Sequence, residues 1–175
     1  MEERKEDRMA KKISWIVLLA LFVFSSCANK PTGNLLIYLK DSPIDADSIQ
    51  VTISAVDAHA TGGAWLPVST EMKTVDLIQL HDHQTPIADI DLDDGSYTEI
   101  RLLMVSGRIV VNGQTYDLVV PSTEVKIPAR FDIIKEGKTQ IILDFDADKS
   151  IEVHPTGGGN EYILRPVITV VSITQ

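Results

Sequence analysis

The chain has 175 residues, 44% of them hydrophobic and 6% aromatic, with 16 basic side chains against 25 acidic ones and a single cysteine. A formal charge of −9 excludes the basic footprint that nucleic-acid binders need. One cysteine excludes an internal disulfide, and the length suits one domain behind a short leader.

Lys11 and Lys12 precede a nearly unbroken apolar run, Ile13 to Phe24, and Ser25, Ser26 and Cys27 follow at once. Those 12 residues match a signal-peptide core and fall short of the ~20 that cross a bilayer. Acids crowd the residues before Met9, an odd prelude to such a segment, so the start is left open between Met1 and Met9. Phe24-Ser25-Ser26-Cys27 resembles the lipobox of bacterial lipoproteins, in which small residues admit the peptidase and the thiol takes diacylglycerol. Phe24 is bulkier than the usual leucine. The expected organisation is a signal peptide over residues 1–26, a lipidated N-terminus and tether over 27–33, and one domain over 34–175.

Cys27 is thus the expected lipidation site, and its acyl chains (palmitate among them) make the membrane the first partner. More than one chain gives stable anchoring. The mature part carries 11 lysines and arginines against 21 acids, a net charge of −10, and no polybasic patch. Attachment is therefore expected through lipid. Ala28 and Asn29 carry no acidic retention signal, which favours the outer membrane of a two-membrane cell and leaves the leaflet open.

After the tether, period-two alternation takes over. Leu35, Ile37 and Leu39 share one strand face, and Ile49, Val51, Ile53 and Ala55 another. Val75 to His83 hints at a short helix, the one interruption of this kind. Ile100, Leu102 and Met104 alternate with Arg101 and Leu103, and Ile141, Leu143 and Phe145 with Gln140, Ile142 and Asp144. Such spacing marks strands with one buried face. Tyr162 to Val171, apolar on both sides, reads as one central strand. Asn112-Gly113 between Val111 and Gln114 predicts a type I′ hairpin, because both central residues must take positive φ. Other Gly-containing breaks, with Pro43, Pro121 and Pro128 at strand ends or edges, give seven or more strands in an antiparallel β-sandwich.

Several stretches resemble a bacterial and archaeal lipoprotein family known as domain of unknown function 4382. They are Gly33 to Pro43, Ile49 to Val56, Thr74 to Ile78, Gly95 to Leu102, Asp144 to Ser150 and Leu164 to Ile168. The resemblance implies an immunoglobulin- or transthyretin-like sandwich and no assigned reaction. Asp93-Asp94 stands where the family usually has small or apolar residues, and His81-Asp82-His83 lies in a variable loop.

Catalytic chemistry has little to build on. No Gly-x-Ser-x-Gly elbow is present, the only thiol is the lipidation site, and Gly157-Gly158-Gly159 lacks the Lys and Ser/Thr of a phosphate loop. His81-x-His83 offers two imidazoles where zinc needs three or four ligands. Two aspartate runs are candidate calcium ligands: Asp89, Asp91, Asp93 and Asp94, then Asp144, Asp146 and Asp148. Neither follows the EF-hand pattern, so calcium requires the runs to meet in space; otherwise they are the solvated faces of strands. Trp65, the sole mature tryptophan, is expected to pack in the core or at a sheet edge, the alternative being a stacking platform for a glycan. The expected function is a lipid-anchored, non-catalytic interaction or accessory domain that binds another envelope protein or component through loops at one end. The alternatives are a carbohydrate-binding module centred on Trp65, and a hydrolase that gathers His81, His83 or His154 around a carboxylate.

Overall fold

A computed structural model describes residues 30–41, 46–80 and 83–175. The signal segment with Cys27, Pro43, His81 and Asp82 lie outside the described residues. Pro31–Gln175 forms one compact unit. Its strands are β1 (Thr32–Asp41), β2 (Ser48–Ala60), β3 (Trp65–Ser69), β4 (Lys73–Asp76), β5 (Thr85–Asp93) and β6 (Gly95–Val111). They continue with β7 (Gln114–Val119), β8 (Glu124–Ile133), β9 (Lys138–Phe145), β10 (Ile151–Thr156), β11 (Gly159–Leu164) and β12 (Ile168–Thr174). A 3₁₀ turn at Ile78–Leu80 sits inside the segment expected to be helical, and one helical turn, α1, spans Ala147–Ser150.

The strands form two sheets, as expected of a sandwich. The smaller has the order β12-β9-β1-β5; the larger has eight strands along β10-β11-β7-β6-β2-β3, with β4 added on β2 and β8 on β6. Most pairings are antiparallel, but β1–β9 and β11–β7 are parallel. The core lies between the sheets. Leu35, Ile37 and Leu39 of β1 and Ile141, Leu143 and Phe145 of β9 are wholly buried against Ile49, Val51, Ile100 and Leu102. Alternation puts them there, since every second side chain of a strand shares a face.

Two sequence readings change. In β2 the inward face passes from Ile49, Val51 and Ile53 to Val56 and Ala58, because pairing with β6 is irregular between Ile53 and Ala55. A bulge inserts a residue and inverts the phase, so Ala55 is not part of the inward row. The run Tyr162 to Val171 is two strands. The backbone N–H groups of Arg165 and Val167 donate to the carbonyl and hydroxyl oxygens of Ser150 at 2.8 Å each, and the chain crosses there between sheets. β11 is interior in the larger sheet, whereas β12 is an edge of the smaller. Pro128 lies in β8, which among the described residues pairs only with β6 and is thus an edge strand as expected, opposite Glu99 at a register shift, where a missing N–H is tolerated.

The type I′ hairpin is present: Asn112 has φ 50° and Gly113 φ 72°, with Val111 opposite Gln114. The two ends of the sandwich can be told apart by β1. At its base, where β1 begins, Asp94 N donates to Pro31 O (2.8 Å), Glu136 N to Thr32 O (2.9 Å) and Thr61 N to Ser96 O (2.9 Å). At its crown, where β1 ends, Ala147 N donates to Asp41 Oδ1 (3.1 Å) and Gly113 N to Asp47 Oδ2 (2.9 Å). The first strand begins at Thr32.

Candidate functional site: an aromatic and ionic face on the larger sheet

Register assembles a cluster on the outer face of β2, β3, β6 and β8. Asp57 lies opposite Pro67 on one side and Arg101 on the other, Arg101 opposite Lys126, and Trp65 opposite His59. Both Arg101 Nε (2.9 Å) and Nη2 (2.5 Å) donate to Asp57 Oδ2, and Arg101 Nη1 is 3.5 Å from Glu124. Asp57 is only 8% exposed, so this pair is largely withdrawn from water and its geometry is well defined.

The Arg101 guanidinium stands 4.4 Å from the Trp65 ring centroid, and Lys126 Nζ 5.9 Å. Both fall within cation–π range. The His59 ring lies 5.0 Å from Trp65 at 55° and bonds Thr98 Oγ1 through Nδ1 at 3.0 Å. Trp65 is thus half-buried at the sheet edge, outside the core, and already in contact with a cation. Sequence reading singled out Trp65 and missed its partners. The available signal was Arg101 on the polar side of Ile100–Met104; Asp57 was hidden by the bulge.

The two aspartate runs do not meet. Asp91 is opposite Asn34 and Asp144 opposite Lys40, six residues apart along β1, or about 20 Å. Near the base, Asn34 Nδ2 donates to Asp89 Oδ1 (2.9 Å) and Asp91 Oδ1 (3.3 Å); Asp93 takes the Tyr97 hydroxyl on its backbone carbonyl (2.9 Å), and Asp94 is exposed. Near the crown, Asp144 pairs with Lys40 at 3.6 Å. Asp146 caps α1, accepting from Lys149 N (3.1 Å) and Lys149 Nζ (2.6 Å), and Asp148 is exposed. The hydrogen bonds from Lys149 hold the Asp146 carboxyl below the usual range, and the same bond raises the Lys149 ammonium. Among the described residues no group of three or more His, Cys, Asp and Glu side chains is arranged to hold a metal.

The described histidines lie apart in the fold: His59 in β2, His83 before β5, and His154 in β10 beside Glu152 at 3.5 Å. Three shallow concavities, of about 590, 190 and 430 Å³, carry no histidine in their walls. The first is at the base, walled by Thr61, Ser96, Arg130, Asp132 and Gln175 over the Tyr97–Phe131 stack. There Ser96 Oγ donates to Asp132 Oδ1 at 2.5 Å. Burial raises the Tyr97 phenol above its ordinary range, and the Asp93 charge adds to this.

No helix among the described residues is long and apolar enough to cross a membrane. No curated protein and no solved structure matches the chain. The sequence model described as domain of unknown function (DUF4382) matches residues 32–166, β1 through the segment after β11, and the chain belongs to that family.

Proposed function

We propose that the protein is a lipid-anchored component of the cell envelope whose sandwich binds a second envelope protein through the Trp65–Arg101 face. The observation that carries this is the cluster itself. Tryptophan and arginine dominate binding hot spots when held in place, and here Asp57 fixes the guanidinium over the ring before any partner arrives. Preordered side chains lose little entropy on association. The anchor is Cys27, and the sandwich works as a recognition domain, not an enzyme.

A glycan ligand is the second reading, favoured by the half-buried indole of Trp65. Arg101 against that ring leaves less of it for a sugar to stack on. A photo-crosslinking residue in place of exposed Lys126 separates the two in intact cells. A discrete protein adduct supports the first reading and a glycan adduct the second. No adduct from a folded, membrane-bound variant refutes both. Anchoring is tested by detergent-phase partition, which Cys27→Ala is expected to abolish; wild-type protein that partitions into water refutes it.

A further inference from the structure

We propose that the base of the sandwich rests on the bilayer, with the turn after β8 as the contact and Ile134 among the phospholipid headgroups. This rests on the anchored reading above and adds an orientation to it. Only four residues separate Cys27 from Thr32, a reach of about 18 Å even when extended. β1 itself, ten residues long, carries the crown a further 33 Å or so away. A lipid on Cys27 therefore holds the base within that reach of the surface, whereas the crown can stand about 33 Å further away.

The turn is bound to the start of β1. Glu136 N donates to Thr32 O and Asn34 N to Gly137 O, both at 2.9 Å, and Gly137 N closes the turn on Ile134 O at 2.8 Å. Wherever the tether takes Thr32, this turn follows. Its side chains suit an interface: Ile134 is 53% exposed, and Lys135 and Lys138 flank it with stems that extend along apolar surface while the ammonium stays wet. The turn itself carries Lys135 and Lys138 against Glu136, so an anionic headgroup layer does not repel it.

Cys27 is the sole native cysteine, so a thiol introduced elsewhere is the only free one on a lipidated chain. Ile134→Cys and, at the crown, Gln114→Cys are each labelled with one fluorophore. The lipidated proteins are placed in phosphatidylethanolamine/phosphatidylglycerol vesicles that carry a headgroup-attached quencher. Quenching several-fold greater at 134 than at 114 is expected, with Lys135→Cys as a second reporter should Ile134→Cys unfold. Equal quenching, or more at 114, overturns the orientation alone. Wild-type protein that takes up no radiolabelled palmitate overturns the anchor, and the orientation with it.

Discussion

Gly33 is the glycine whose added Cβ would meet the closest atom. A Cβ added there falls 2.2 Å from the carbonyl oxygen of Ile134 and 3.0 Å from Ile133 Cγ2. The nearest atom is backbone, so no rotamer relieves the overlap; β1 and the turn must separate by about 1 Å to reach ordinary contact. That separation stretches the two 2.9 Å bonds, Glu136 N to Thr32 O and Asn34 N to Gly137 O, past useful length, at about 1 kcal/mol each. Repacking of Ile133 adds up to about 2 kcal/mol. Gly33→Ala should therefore destabilise the domain by about 2–4 kcal/mol and lower Tm by roughly 4–16 °C for a domain of this size. Thermal melts followed by circular dichroism test this. Gly157→Ala is the control, because nothing lies within 4 Å of its added Cβ, and it should change stability by less than about 0.5 kcal/mol. A Gly33→Ala melt within about 1 °C of wild type refutes the close approach of β1 to the turn.

Gly113→Val forces a β-branched residue to the φ of 72° that the hairpin requires, a loss of roughly 1–3 kcal/mol; an unchanged urea midpoint contradicts it. Arg101→Met strands the Asp57 carboxylate in a mostly dry setting and should destabilise by about 2–3 kcal/mol. Adding Asp57→Asn should recover part of that loss, and a double variant no more stable than Arg101→Met shows the pair to be uncoupled. The lowered Asp146 carboxyl favours the native state above the unfolded value of about 4 and stops doing so as pH falls through the native value. Wild type should accordingly lose Tm more steeply than Asp146→Asn between about pH 5 and 2, and superposable curves remove that linkage.

Most of the sandwich was legible because strand alternation and turn chemistry are local. Leu35, Ile37 and Leu39, the row around Ile141, and the Asn112-Gly113 turn fell where period and φ preference place them. Bulges were not legible. A bulge is fixed by what a strand pairs with, and the inversion at Ala55 follows from β6, some fifty positions along the chain. The same limit governed the site. Trp65 was visible as a rare residue, but its contact with Arg101 depends on two strand registers at once, β3 on β2 and β2 on β6. The aspartate runs look alike in sequence and differ in the fold: one bonds Asn34 across a ladder, while the other ends in a helix cap at Asp146. Apolar residues on both sides of Tyr162–Val171 suggested one central strand, since hydropathy does not record a change of sheet.

The order β12-β9-β1-β5 also governs when this domain can fold. No two neighbours in that sheet are consecutive in sequence, and Asn34 finds Lys138 only after most of the chain has been made. Hairpins such as β6–β7 and β10–β11 close early, on a microsecond scale. The smaller sheet must wait for long loops to close, which slows folding towards milliseconds to seconds. Until β12 arrives, β9 keeps one edge open to any strand it meets. Local hairpins of the larger sheet can therefore form well before the smaller sheet is complete.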